Sequence, residues 1–194
     1  MALQTNAAAG IYLSIADGKI VRTYKEAQPG TTPRVTKTGK TVHEQRFDTI
    51  TGFIVGLSVR ENDYGKQWQL TMQDGDEKYI VSMPYSSRYS TSFLKSLPNI
   101  DLSKIVKLMP WSMTDKNDAS KKVNGITMWQ DGVKIMPAFT KDNPNGLPPM
   151  VQVKVKGTIV WDDTDMMSFL EEKAMAIFSK VAPASNQSDE DLPF

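Results

Sequence analysis

Apolar and polar residues alternate with a period of two along most of the chain, the pattern of strands that bury one face. Residues 11–15 and 20–24 alternate on either side of Asp17-Gly18, a hairpin signal. Residues 26–45, rich in Thr, Pro, Gly and Lys, predict a long loop. Residues 47–60 predict a long strand with Phe53, Val55, Leu57 and Val59 on one face, and Gly52 and Gly56 mark places where it bends. Trp68, Leu70 and Met72 alternate with polar residues, and the pattern returns at Tyr79, Val81 and Met83 after the Asp74-Gly75-Asp76 turn. Over residues 86–96 the period changes. Tyr89, Phe93, Leu94 and Leu97 recur at helical spacing, and Pro98 stops the helix. Strands are predicted over 104–113, 126–130 and 133–139, the last two joined at Asp131-Gly132. A connector at 140–149 leads to one further strand at 151–161. The last element, 164–181, is an amphipathic helix with Met167, Leu170, Ala174, Ile177, Phe178 and Val181 on one side. Asp162, Asp163 and Asp165 stand where carboxylates cap a helix start.

The central order is long strand, strand, strand, short helix, strand, strand. It predicts a mainly β protein: a five-stranded oligonucleotide-binding (OB) barrel over about residues 46–139. The N-terminal hairpin, the extra strand 151–161 and the C-terminal helix are additions to it. Residues 1–182 then form one domain. Beyond Pro183 the periodicity ends, and 183–194 reads as a disordered acidic tail.

Composition removes most enzyme classes. There are no cysteines, so disulfides, thiolate metal sites and Cys nucleophiles are excluded. The lone histidine, His43, precludes a two-His metal motif. Gly39-Lys40-Thr41 imitates the end of a phosphate-binding loop, but Arg34 occupies the place of its first glycine. No enzyme, cofactor or metal is expected. The competing enzymatic reading is a metal-dependent nuclease or other phosphoryl-transfer enzyme using Asp162, Asp163 and Asp165. No apolar run is long enough to cross a bilayer, and no signal peptide opens the chain, so a cytoplasmic location is expected. The net charge is +1, but three acids crowd the last seven residues, so the body before them is net basic.

The chain ends Asp189-Glu190-Asp191-Leu192-Pro193-Phe194. The acids keep this peptide extended and repelled from nucleic acid, Leu192 and Phe194 are apolar anchors, and Pro193 restricts the backbone between them. Average residue usage puts acids followed by Leu or Ile, Pro and Phe at on the order of one chain end in a million, so a mere solubility tail is a poor account. This terminus resembles the acidic tip of bacterial single-stranded DNA-binding proteins. The body, with its segment before the barrel and its Pro110-Trp111 strand, is similar to the phage-encoded type. It departs from the bacterial type in the extra hairpin and in the strand and helix before the tail. The resemblance implies sequence-tolerant binding of single strands in DNA replication, recombination or repair, in a bacterial cytoplasm or phage-infected host. It also implies recruitment of a polymerase, helicase or nuclease through the tip, in a protein able to form oligomers. An adaptor that keeps the tip but has lost DNA binding is the other alternative.

Gripping single strands requires cations along the backbone path and aromatic faces for the bases. On strand 104–113, Lys107, Met109, Trp111 and Met113 share a face opposite Val106 and Leu108, so Trp111 and Lys107 are the first candidates. Trp129 is the second aromatic. Arg60, Tyr64 and Lys66 lie at the first barrel hairpin, and Lys121 and Lys122 lie in the loop between the last barrel strands. Arg34, Lys37, Lys40 and Arg46 make the 26–45 segment basic, whereas Trp68 shares the face of Leu70 and Met72 and reads as core.

Overall fold

The structure is a computed structural model that describes residues 10–62 and 65–179. Its strands are β1 (Ile11–Ala16), β2 (Lys19–Tyr24), β3 (Thr32–Val35), β4 (Thr41–Phe47), β5 (Ile50–Asn62), β6 (Gly65–Asp74), β7 (Glu77–Pro84), β8 (Val106–Thr114), β9 (Lys122–Gln130), β10 (Val133–Lys134), β11 (Val151–Val155) and β12 (Thr158–Asp162). Helix α1 (Arg88–Ser96) separates β7 from β8, and α2 (Thr164–Ser179) ends the described chain. The protein is mainly β with a C-terminal helix. No helix among the described residues is long and apolar enough to cross a membrane.

Ten strands form one sheet in the order β10-β9-β8-β5-β6-β7-β1-β2-β4-β3. The N-terminal hairpin is therefore part of the main sheet. Strand β1 runs parallel to β7, pairing Ile11 with Tyr79 and Leu13 with Val81. This corrects the expectation of a five-stranded barrel with a hairpin laid upon it. The free edge of β7 is taken by β1, and no ladder joins β7 to β9 among the described residues.

The sheet nonetheless curls strongly. Strands β8 and β2 are five places apart, about 24 Å in a flat sheet, yet the β1–β2 turn touches β8. A Cβ built on Gly18 would stand 2.5 Å from the Ser112 amide nitrogen. Lys122 of β9 reaches Asp17 of the same turn at 3.0 Å. Curling is aided within β5. The ladder with β6 shifts register between Ile54 and Gly56, a β-bulge. At Gly52 a Cβ would meet the Gln73 carbonyl oxygen at 2.6 Å, so the two strands close there only over a glycine.

The core lies inside the curl and under the helices. Trp68, Leu70, Met72, Val81, Met83, Phe93, Val106, Leu108 and Met167 are fully buried in it. Ser87 caps α1 by accepting a hydrogen bond from the Ser90 amide at 3.1 Å. Tyr89, Phe93, Leu94 and Leu97 bury the face their spacing predicts, and Pro98 falls in a short 3-10 turn, Leu97–Asn99, that ends the helix. Helix α2 packs on α1 and β5 through Met166, Met167, Leu170 and Ala174. Ile177 and Phe178 are partly buried beside them, while Val181 lies outside the described residues.

Several other expectations are corrected. The segment 26–45 is not a loop throughout, because β3 and β4 pair within it. Glu44, buried on β4, accepts hydrogen bonds from both Arg34 and Arg46, so two of the segment's cations hold its hairpin together. The predicted strand 47–60 is divided, with Phe47 ending β4 and β5 starting at Ile50. Its expected apolar face is split by the bulge: Leu57 is buried, while Phe53 and Val55 are 40% and 49% exposed on the outside. Of the predicted strand 133–139, only Val133 and Lys134 pair. The single strand expected at 151–161 is a hairpin, β11–β12, that turns at Lys156-Gly157, both with positive φ.

Candidate nucleic-acid interface

Strand β8 alternates sharply. Val106, Leu108 and Pro110 are buried, while Lys107 is exposed and Met109 and Trp111 are half-buried on the opposite face. Pairing carries that outer face to both neighbours. Lys107 stands opposite Trp129 on β9 and opposite Thr51 on β5, so Trp129, Lys107 and Thr51 form one row across three strands. Phe53 follows Thr51 on the same side of β5. A depression of about 410 Å³ at this row is lined by Thr51, Ile105, Lys107, Trp129, Asp131 and Gly132.

Two further depressions lie on the molecule. One, of about 350 Å³, shares Thr51 and continues past Phe47, Arg22 and Tyr79 to the carboxylates of Asp74 and Glu77. The other, also about 350 Å³, is walled by Asp17, Lys19, Asp48, Met109 and Trp111. The Trp111 indole lies over Gly125, its partner on β9, so closely that a Cβ there would stand 2.6 Å from a ring atom. Glycine at 125 is what allows this aromatic to lie flat on the sheet.

The charges divide into paired and free. Lys19 pairs with Asp48, Lys104 with Asp131 at 2.7 Å, Lys121 with Asp118 at 2.9 Å and Lys122 with Asp17 at 3.0 Å. The hydrogen bond and charge of Lys122 hold the Asp17 carboxyl below its ordinary range. Such exposed pairs are worth at most about 1 kcal/mol, so a phosphate can take the place of the carboxylate. Among the described residues Lys107 makes no ion pair, and Arg22 only covers the Tyr24 ring at 4.9 Å. Lys107 can take a polyanion without breaking a pair, whereas Arg22 shares its depression with Asp74 and Glu77.

The sequence-derived candidates are therefore partly gathered. Trp111, Trp129 and Lys107 share one face. Lys121 and Lys122 lie at the far end of the same β8–β9 hairpin, with Lys122 opposite Thr114. Arg60 and Lys66 lie elsewhere, at the other end of β5. From Thr51 to Arg60 is about 30 Å of strand. Arg60 is exposed there, whereas Lys66 is engaged by Glu171 of α2 at 2.8 Å and lies over the Tyr85 ring at 4.0 Å. Lys66 thus fastens α2 to the sheet. Tyr85 in turn stacks on the buried Trp68, with ring centres 5.4 Å apart. Tyr64 and the tip residues Asp189, Glu190, Asp191, Leu192, Pro193 and Phe194 lie outside the described residues.

Phe53 is a member of this surface that sequence reasoning missed, and Phe47 and Arg22, on the face of the buried Ile20, line the depression that shares Thr51. Phe53 looked like core because it alternates with Leu57, and only the bulge between Ile54 and Gly56 turns it outward. Phe47 and Arg22 carried no local signal, since the curl of the sheet brings β2 and β4 beside β5. The carboxylates considered as nuclease ligands have another engagement. Asp162 accepts hydrogen bonds from the Thr164 amide at 2.9 Å and its hydroxyl at 2.6 Å, which caps the start of α2. No group of three or more potential metal-ligating side chains occurs among the described residues.

Compared with models of protein families, with curated proteins and with solved structures, the chain gives no match.

Proposed function

We propose that this protein binds single-stranded DNA without strong sequence preference and recruits other proteins of DNA replication, recombination or repair through its C-terminal tip. The observation that carries the reading is the open row Trp129–Lys107–Thr51, flanked by Phe53 and Trp111 on the same face. An unpaired cation between aromatic side chains is what a sequence-tolerant site needs: the cation takes phosphate, and each ring can stack on any base. Duplex DNA keeps its base faces inside the stack and cannot use those rings.

Two further features support it. The strand order β9-β8-β5-β6-β7, with a helix between β7 and β8, is the order expected of an OB barrel's strands, within a ten-stranded sheet that is not closed into one. The tip Asp189-Glu190-Asp191-Leu192-Pro193-Phe194 has the composition of a peptide that docks an aromatic ring into a partner's pocket while basic groups on its rim hold the acids.

The deciding experiment is a titration of intrinsic tryptophan fluorescence with oligothymidine and with duplex of equal length. Quenching by the single strand, with affinity falling as salt rises, is expected. Equal affinity for both forms removes the reading.

A further inference from the structure

Strands β11 and β12 pair only with each other, as a two-stranded sheet apart from the main one. A lone two-stranded hairpin is marginal in water, and this one exposes Val151, Val155, Ile159 and Trp161. Its register sorts its side chains into two faces. Lys154 opposite Ile159 and Gln152 opposite Trp161 form one face, while Val151, Val153, Val155 and Val160 form the other. Trp161 is 61% exposed, whereas Trp68 is fully buried and Trp111 and Trp129 are half-buried. From Val151 to Trp161 there is no acidic residue, and Lys154 is joined by Lys156 at the turn. Neither lysine makes an ion pair among the described residues.

We infer that the β11–β12 hairpin is a second contact for the same single strand, with Trp161 stacking on a base and Lys154 and Lys156 taking phosphates. The inference rests on the proposed single-strand binding and adds a site remote in sequence from Trp129 and Lys107. Its occupant is set by charge complementarity: the face of Gln152, Lys154, Ile159 and Trp161 holds no acid, since Asp162, which ends β12, lies on the other face and caps α2, and an acid-free face with an open indole beside two unpaired lysines suits a polyanion with unstacked bases. Ile159 beside Trp161 extends the apolar platform, and Gln152 supplies a hydrogen-bonding group at its edge.

The test uses the full-length protein and an oligothymidine of about 30 nucleotides, longer than the roughly 4–16 nucleotides one OB fold occupies. Trp161→Ala is expected to weaken binding about ten-fold and Trp161→Phe to retain most of it, since a phenyl ring still stacks. Lys154→Ala with Lys156→Ala is expected to lower the slope of log affinity against log salt by about 1.4, at roughly 0.7 per phosphate contact. An oligonucleotide of about 8 nucleotides, bound at the first face, keeps its affinity in all three variants. Unchanged affinity and slope for the long strand, with the wild type binding normally, overturn the inference and leave single-strand binding standing. Absence of wild-type binding removes both. Sedimentation of each variant separates the other use of an exposed apolar hairpin: a wild-type dimer that Trp161→Ala converts to monomer, with DNA affinity unaffected, assigns the hairpin to self-association and likewise overturns the inference.

Discussion

The amide of Gly18 donates a 2.9 Å hydrogen bond to the hydroxyl of Tyr89, joining the β1–β2 turn to helix α1 across 71 residues of sequence. The same glycine, at φ +74°, rests against the backbone of Trp111 and Ser112. One residue thus closes the curl of the sheet and steadies the strand that carries Trp111. Gly18→Ala places a methyl group into the β8 backbone and forces alanine into the left-handed region. It is expected to lose about 2 kcal/mol or more of stability. Tyr89→Phe leaves the buried Gly18 N–H without its acceptor, at about 1–3 kcal/mol. Urea denaturation checks both, and a wild-type midpoint for Gly18→Ala is incompatible with this contact.

The outer face separates binding from folding. Trp129→Ala and Phe53→Ala are each expected to weaken oligothymidine binding by about 1–3 kcal/mol, the size of one base–aromatic stack, with little change in melting temperature. Lys107→Ala is expected to lower the salt slope by about 0.7. Trp68→Ala is the contrast. Fully buried against Leu70 and Met83 in the core cluster, it is expected to cost about 3–5 kcal/mol of stability. If Trp129→Ala and Phe53→Ala unfold the protein instead, their rings belong to the core and not to the site.

The clasp at Lys66 gives stability an acid-sensitive component. Burial pushes the Glu171 carboxyl up, but hydrogen bonds from Lys66 and Tyr85 outweigh it and hold the group below its ordinary value of 4.5. A carboxyl depressed in the folded state contributes stability that is complete above its unfolded value and is lost as pH falls through the folded one. Lys66 is shifted the other way, upward, chiefly by its hydrogen bond to Glu171, so its contribution is lost only in strong alkali. Wild-type stability is therefore expected to fall below about pH 4.5 more steeply than that of Glu171→Gln. Melting curves between about pH 3 and 7 check this, and parallel declines in the two proteins reject it.

Deleting residues 189–194 removes three carboxylates, the terminal Phe194 and no candidate for base stacking. If the proposed function holds, the truncated protein binds oligothymidine at least as tightly as the full chain and loses association with any protein that docks on the tip. Pull-downs alongside the DNA titration decide the matter. A truncation that abolishes DNA binding contradicts the division of labour between body and tip.

The sequence alone determined the elements whose signals are local. The turn at Asp17-Gly18, the alternation of Trp68, Leu70 and Met72, the helical spacing of Tyr89, Phe93 and Leu94, and the carboxylate at the start of α2 are all present as read, because each depends on neighbours a few residues away. The opposed faces of Lys107 and Val106 were legible for the same reason. What the tertiary structure decided are relations between distant segments. Strand β1 takes the edge of β7 because parallel pairing over 68 residues leaves no mark at either strand. Phe53 faces outward because one extra residue in β5 reverses the side on which every earlier side chain lies, and period-two alternation cannot reveal a bulge. Lys66 serves α2 because Glu171 arrives there from 105 residues away. Trp129 meets Lys107 and Thr51 through a register that only the folded sheet sets, since identical strands slipped by one position would turn the indole into the core.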